Sequence, residues 1–195
     1  MPKVLMLILT WAIFSSAVDA RAGELEQTQH MIWLGGGLTQ QESFWAERAP
    51  LFPTGFLRYE NKIGHAFFSN TAWKSPLSFL GGLYGVSQWH AGTNDIGDNK
   101  SQLYGELGFG AGPEKAGSVF VLGARVIGLA FGGVEYTRLN VLGETRDSFV
   151  SNLGFSSGVS LHAGFKNVFI KQEMLLGYGL RGYQNHLRTG FVITF

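Results

Sequence analysis

From Asn152 to Phe165 the chain alternates with period two. Leu153, Phe155, Ser157, Val159, Leu161, Ala163 and Phe165 fall on one parity, and Asn152, Gly154, Ser156, Gly158, Ser160, His162 and Gly164 on the other. Successive strand side chains point to opposite faces, so the segment predicts a strand with one large apolar face and one small polar face. The rhythm recurs. Phe56, Arg58, Glu60 and Lys62 alternate with Leu57, Tyr59, Asn61 and Ile63, and Gln102, Tyr104, Glu106 and Gly108 with Leu103, Gly105, Leu107 and Phe109. Phe169, Lys171 and Glu173 alternate with Val168, Ile170, Gln172 and Met174, and Arg188, Gly190, Val192 and Thr194 with Leu187, Thr189, Phe191, Ile193 and Phe195. Weaker segments lie at 29–38, 65–74, 78–90, 117–127 and 130–139.

A soluble sandwich would bury the apolar parity and charge the other. Here the second parity is small and polar, and several of its positions carry isolated charges. That is the pattern of a membrane barrel, apolar outward to lipid and polar inward to a lumen. Turn residues separate the segments at Asn61–Gly64, Lys74-Ser75-Pro76, Gly112–Lys115, Lys166-Asn167 and Arg181-Gly182. Longer connections fall at 39–53, 91–100 and 140–151. The expected fold is all-β, an antiparallel up-and-down transmembrane barrel of 8 or 10 strands, and the segment count favours ten. In that count the connection 91–100 lies on the periplasmic side.

Composition sharpens this picture. Charged residues are 15% of the 195, and the chain has 28 glycines and no cysteine. Low charge with many aromatics excludes a disordered chain. The absence of cysteine excludes disulfides, thiolate metal sites and a cysteine nucleophile. A formal net charge of +1 leaves no basic face for nucleic acid. At the start, Lys3 precedes the apolar run Val4–Phe14, and Ala20-Arg21-Ala22 reads as a cleavage site. This is the layout of a secretory signal peptide, and the run is too short to span a bilayer. The expected organisation is a cleaved signal peptide, 1–22, and one barrel domain, 23–195.

The last eight residues are the sharpest motif. Arg188, Gly190, Ile193 and Phe195 are arranged as a polar residue, a glycine two later, alternating apolar residues and a terminal aromatic. This resembles the C-terminal assembly signal of the small outer-membrane β-barrel proteins of Gram-negative bacteria. The resemblance implies an integral outer-membrane location, insertion by the barrel-assembly machinery, and contact with outer-membrane lipid and lipopolysaccharide. It implies no cofactor, and a monomer is expected.

The interior is the candidate site. Pairing Phe165 with Val168 sets Ser160 opposite Glu173 and His162 opposite Lys171, all inward. Lumen charges are expected to pair among Arg58, Glu60, Glu106, Arg125, Glu135, Lys171, Glu173 and Arg188, with Arg125 facing Glu135 across a hairpin. Buried charges need partners, and a barrel of this size is filled by side chains rather than open. The leading reading is therefore a plugged barrel with a structural and surface-interaction role through its extracellular loops. A small narrow pore is one alternative. Another is an enzyme with Ser160 as nucleophile, His162 as base and Glu173 as orienting carboxylate. Some small barrels modify lipid A acyl chains with Ser and His, and the deacylases carry His-x-Ser where this chain has Ser160-Leu161-His162. No His, Asp and Glu spacing suggests a metal site.

Overall fold

A computed structural model describes residues 29–43, 51–66, 73–89, 96–141 and 144–195. The segment 1–22 lies outside the described residues. Nine strands follow in order: β1 His30–Ser43, β2 Leu51–His65, β3 Pro76–Trp89, β4 Ile96–Ala111, β5 Glu114–Ala116, β6 Phe120–Val141, β7 Glu144–Phe165, β8 Val168–Gly179 and β9 Gly182–Thr194. All pairings are antiparallel, and except for β4 and β5 each strand pairs with its sequence neighbours; β1 also pairs with β9 from Met31↔Thr194 to Ser43↔Gly182. β4 pairs directly with β6, and β5 lies beside the start of β6 as a three-residue appendage. Eight long strands therefore close a barrel, with no free edge around its membrane-facing wall.

The observed count is eight rather than the favoured ten for two reasons. Segments 117–127 and 130–139 are one continuous strand, because Gly128, Gly132 and Gly133 pair in register without a turn. Segment 65–74 forms no named strand among its described residues. The change re-aims a loop. With eight strands the β3–β4 connection shares an end with the β1–β2 and β6–β7 connections, so 91–100 moves from the expected periplasmic side to the side of the long loops. The hairpin register is as derived, with Phe165↔Val168, His162↔Lys171 and Ser160↔Glu173.

The outside is the apolar parity. Leu34, Leu57, Leu83, Leu103, Leu107, Val126, Leu161, Ile170 and Met174 are exposed on it. Aromatic side chains mark its two margins. Phe109, Phe120, Phe165 and Phe195 stand near the end where β1 begins and β9 ends, and Phe155, Tyr178 and Tyr183 near the other. Exposed leucine walls between aromatic girdles invert the soluble pattern and match the surface of a lipid-embedded barrel. No helix among the described residues is long and apolar enough to cross a membrane; the crossing is made by strands.

The strands differ in height. β7 pairs with β8 only from Gly154↔Gly179 downward. Above that point β4, β6 and β7 continue together to Ile96↔Val141 and Val141↔Glu144. Residues 144–152 thus rise beyond the β8–β9 turn by about 30 Å along the strand at ~3.3 Å per residue.

Candidate functional site: a charge-filled lumen beneath a projecting sheet

The inward parity of β2 places Arg58, Glu60 and Lys62 on the lumen, β4 places Glu106, β8 places Lys171 and Glu173, and β9 places Arg188. At mid-height four of these form a chain. Arg58 spans the lumen from β2 to β8, donating to Glu173 through Nη1 at 2.6 Å and Nη2 at 2.9 Å. Its Nε donates to Glu106 Oε1 at 2.8 Å. Arg188 Nη1 donates to both Glu106 oxygens, at 3.0 and 2.8 Å. Glu173 and Arg188 are also direct cross-strand partners. A bidentate Arg–carboxylate pair fixes geometry as well as charge, so this quartet ties β2, β4, β8 and β9 across the centre of the barrel.

A second cluster closes the lower end. Arg125 donates to Glu60 at 3.0 Å and to Glu114 at 2.7 Å. Lys171 bonds Glu60, and Lys62 bonds Glu114 at 2.5 Å. His162 Nε2 lies 3.2 Å from Glu114. Glu114 is reached because β5 folds back beside β6, with Glu114 opposite Gly123 and its backbone bridged to Lys74. Gly123 has no side chain where the His162 ring lies. Aromatics fill the remaining width. Trp33 lies under both Arg58 and Lys171, at 5.0 and 4.6 Å from the ring centroid. Tyr84 stacks on Tyr104, and Arg188 sits 4.5 Å over Tyr84.

Near the upper mouth uncharged hydrogen bonds join the ion pairs of Glu135. Tyr104 donates its hydroxyl to Glu135 at 2.6 Å, and Lys100 pairs with the same carboxylate at 3.1 Å. Thr39 bonds Thr54 and lies 2.8 Å from His186, and Gln41 and Gln102 exchange hydrogen bonds.

All eight charged residues picked out in the sequence are buried in this lumen. The Arg125–Glu135 pairing is corrected. Both residues lie on β6, ten positions apart at opposite ends of the lumen, because two expected strands are one. Arg125 takes Glu60 and Glu114 instead, and Glu135 takes Lys100, Arg181 and Tyr104. Glu114 and Lys62 were missed as partners. Glu114 sits in a stretch that reads as a turn, Gly112–Lys115, and only the fold-back of β5 carries it inside.

The Ser160, His162 and Glu173 group is brought close but is not arranged as a triad. Glu173 is held by Arg58 and Arg188, so its charge is spoken for. The carboxylate beside His162 is Glu114. Ser160 is fully buried, and its Oγ has no hydrogen-bond partner among the described residues. A nucleophile needs an adjacent base; among the described residues none bonds the Ser160 hydroxyl. Ser160→Ala and His162→Asn are expected to leave the lipid A acyl profile of producing cells unchanged by mass spectrometry. A lost acyl-chain change in either variant, with the barrel still folded, would restore the enzyme reading. Among the described residues no His, Asp and Glu group is arranged to hold a metal.

Above the membrane the projecting sheet carries its own contacts. Arg138 Nε and Nη2 donate to Asp147 at 2.9 and 3.2 Å, and Tyr136 donates to Asp147 at 3.0 Å. These hydrogen bonds, from Arg138 first and then Tyr136, hold the Asp147 carboxyl below its ordinary range. Glu144 to Phe149 are all exposed.

Comparison with known proteins bears on this geometry. Neither a family profile nor a curated protein sequence matches the chain. Solved structures that share its architecture include the following two. The attachment invasion locus protein Ail of Yersinia pestis aligns over 87% of this chain and 100% of its own, with 14% identity and a TM-score of 0.53. Neisserial surface protein A aligns over 85% of this chain and 97% of its own, with 12% identity and a TM-score of 0.52. The chain is therefore similar in fold to these small barrels: an all-β, antiparallel transmembrane meander closed on itself, with its lumen filled by side chains.

Proposed function

We propose that the chain is an integral outer-membrane protein of a Gram-negative bacterium, and that its plugged barrel holds a surface sheet where partners outside the cell bind. The observation that carries this reading is the height difference around the barrel. β4, β6 and β7 run on as a three-stranded sheet past the tight β8–β9 turn, and residues 144–152 of β7 pair with no strand on their outer side among the described residues. An unpaired edge offers backbone N–H and C=O groups to an extended partner segment. Phe149 stands on its outer face, 73% exposed and six residues above Phe155, the partner of Tyr178 at the upper aromatic margin. The lumen supports anchoring over transport, since cross-lumen ion pairs occupy the path a solute would take. The names of the two similar structures, an attachment protein and a surface protein, agree with this reading.

The address follows from the ends of the chain. Residues 1–22 direct export, and the final strand with Arg188, Gly190, Ile193 and Phe195 directs insertion by the barrel-assembly machinery. Phe195 stacks near His30 at the lower margin, with ring centroids 6.2 Å apart. Phe195→Ser is expected to lower the amount of barrel in the outer-membrane fraction; an unchanged yield would reduce the terminal match to coincidence.

The function is tested by trimming the sheet. Replacing 137–148 with an Asn-Gly hairpin turn removes the projection above Tyr136↔Phe149 and leaves the barrel pairs in place. The variant should keep the slower migration of the boiled form on gels, and producing cells should lose adherence to a eukaryotic cell layer. Retained adherence with the sheet gone would refute the role assigned to it. A tag inserted at 142–143 should be reached by antibody on intact cells, and one at 166–167 only after permeabilisation.

A further inference from the structure

The lipid-facing wall is not uniform. Over β4 from Leu103 downward and the lower parts of β6 and β7, the large outward side chains are all Leu, Val or Phe, such as Leu103, Leu107, Leu122, Val126, Val159 and Leu161, with only glycine, alanine and serine besides. The seam wall built by β8, β9 and β1 differs. There Gln172 and Thr189 face outward as direct cross-strand partners, and Asn185 faces outward opposite Gln40 one strand over. Gln172 is exposed between Ile170 and Met174 on its own strand and opposite Leu161. It stands four residues above the lower turn, inside the apolar band.

This reading rests on the barrel being embedded in a membrane, as proposed above. In that setting a side-chain amide facing hydrocarbon has no water to bond, and an unsatisfied amide there is costly. Neither Gln172 nor Thr189 takes a hydrogen bond from another described residue through its side chain. The amide cannot be relieved from below, since the neighbouring outward positions on both flanking strands are apolar or Thr189 itself. A primary amide has one property that chooses among occupants. It carries a donor and an acceptor side by side, so two amides related by a two-fold axis satisfy each other with two hydrogen bonds. Copies of one barrel in one membrane share their orientation, so an axis along the membrane normal sets Gln172 against Gln172 at equal depth. Such an interface is isologous, and one residue suffices to make it self-complementary. Gly36, opposite Thr189 on β1, leaves the wall low beside the amide and lets the second copy come close.

We infer that the β8–β9–β1 wall is a self-association face, and that two copies dock in the membrane through Gln172 and Thr189. This replaces the expectation of a monomer.

The chain has no cysteine, which makes the test direct. Ile170→Cys and Leu187→Cys, outward neighbours of Gln172 and Thr189 on the same wall, are made singly in the full chain with both docking residues kept, alongside Leu107→Cys on the opposite wall. Each protein is reconstituted in phosphatidylcholine vesicles at a low protein-to-lipid ratio. Slower migration of the boiled form is required of each, which separates a failure of embedding from a failure of docking. Oxidation with copper phenanthroline should link Ile170→Cys and Leu187→Cys into dimers and leave Leu107→Cys monomeric. A second arm uses Gln172→Leu in otherwise unmodified protein. Loss of the two hydrogen bonds between copies should weaken dimerisation about tenfold, read as the change in the dilution at which dimers dissociate. Equal crosslinking at all three positions, or none at Ile170→Cys and Leu187→Cys, overturns the inference. Crosslinking that appears only when lipopolysaccharide is added also overturns it, because the amides would then be serving lipid.

Discussion

Arg58→Met is expected to destabilise the folded barrel by about 3–5 kcal/mol, because it removes the cation that pairs most closely with two buried carboxylates. Arg58 is fully buried and donates to Glu106 and to Glu173. Methionine matches its length and fills its space, so packing against Trp33 is largely kept. What changes is that Glu173 retains only Arg188, whose nearest approach is 3.8 Å, and Glu106 loses one of two cations. With total stabilities of about 5–15 kcal/mol for folded domains, this is a large fraction. Urea titration in detergent micelles, read by the gel shift on boiling, measures it. Ser160→Ala is the internal reference. It removes a buried hydroxyl that has no partner among the described residues, and it should change stability by no more than about 0.5 kcal/mol. Adding Glu173→Gln to Arg58→Met should recover part of the loss, since an uncharged amide no longer needs the missing cation. If Arg58→Met and Ser160→Ala proved equally mild, the quartet would be a filling of the lumen with no hold on its walls.

The features legible in the sequence are those set by parity. A strand's period of two is independent of what lies across from it, so the inward sets Arg58-Glu60, Lys171-Glu173 and Arg188-Gly190 could be read from β2, β8 and β9 alone. The β7–β8 register was readable because a two-residue turn at Lys166-Asn167 leaves one pairing that keeps apolar residues outside on both strands. Glycine defeated the count. At 128, 132 and 133 it looks like punctuation, yet here it sits inside β6, where a Cβ at Gly133 would press on the backbone around Tyr104. Glycines are needed within these strands because a narrow barrel brings neighbouring backbones close on its inner side.

Partners across the lumen were not legible for a different reason. Parity says that a side chain points inward, but the rotational position of its strand around the barrel decides whom it meets. Arg58 and Glu173 are 115 residues apart and on strands separated by β1 and β9 in the ring, and nothing in either local pattern links them. Glu114 shows the same limit at the lower end, since only the fold-back of β5 brings it to Arg125, Lys62 and His162. The grouping of Ser160, His162 and Glu173 met the same limit. It took the nearest carboxylate along the sheet, whereas each carboxylate had been claimed from across the lumen.

Gly190→Val is expected to prevent the barrel from closing, and it separates two meanings of the terminal motif. Gly190 pairs with Gly35 at the seam where β9 meets β1. A Cβ on Gly190 would stand 2.7 Å from Gly35 Cα and 2.8 Å from Trp33 Nε1, and one on Gly35 would stand 2.6 Å from Gly190 Cα. These are backbone and packed-ring obstacles, so no rotamer relieves them. The two strands must separate, and the Trp33 indole must leave its place beneath Arg58 and Lys171. Separation leaves two strand edges facing lipid, where each unpaired N–H and C=O costs several kcal/mol. In cells, loss of outer-membrane barrel would follow equally from a spoiled assembly signal. Refolding of purified, denatured protein into detergent micelles removes the assembly machinery and leaves only closure. There Gly190→Val should show no heat-modifiable form, whereas Phe195→Ser, which touches the margin and not the seam, should refold. If Gly190→Val refolded in micelles as completely as the parent, the glycine would belong to recognition by the machinery and not to the geometry of the seam.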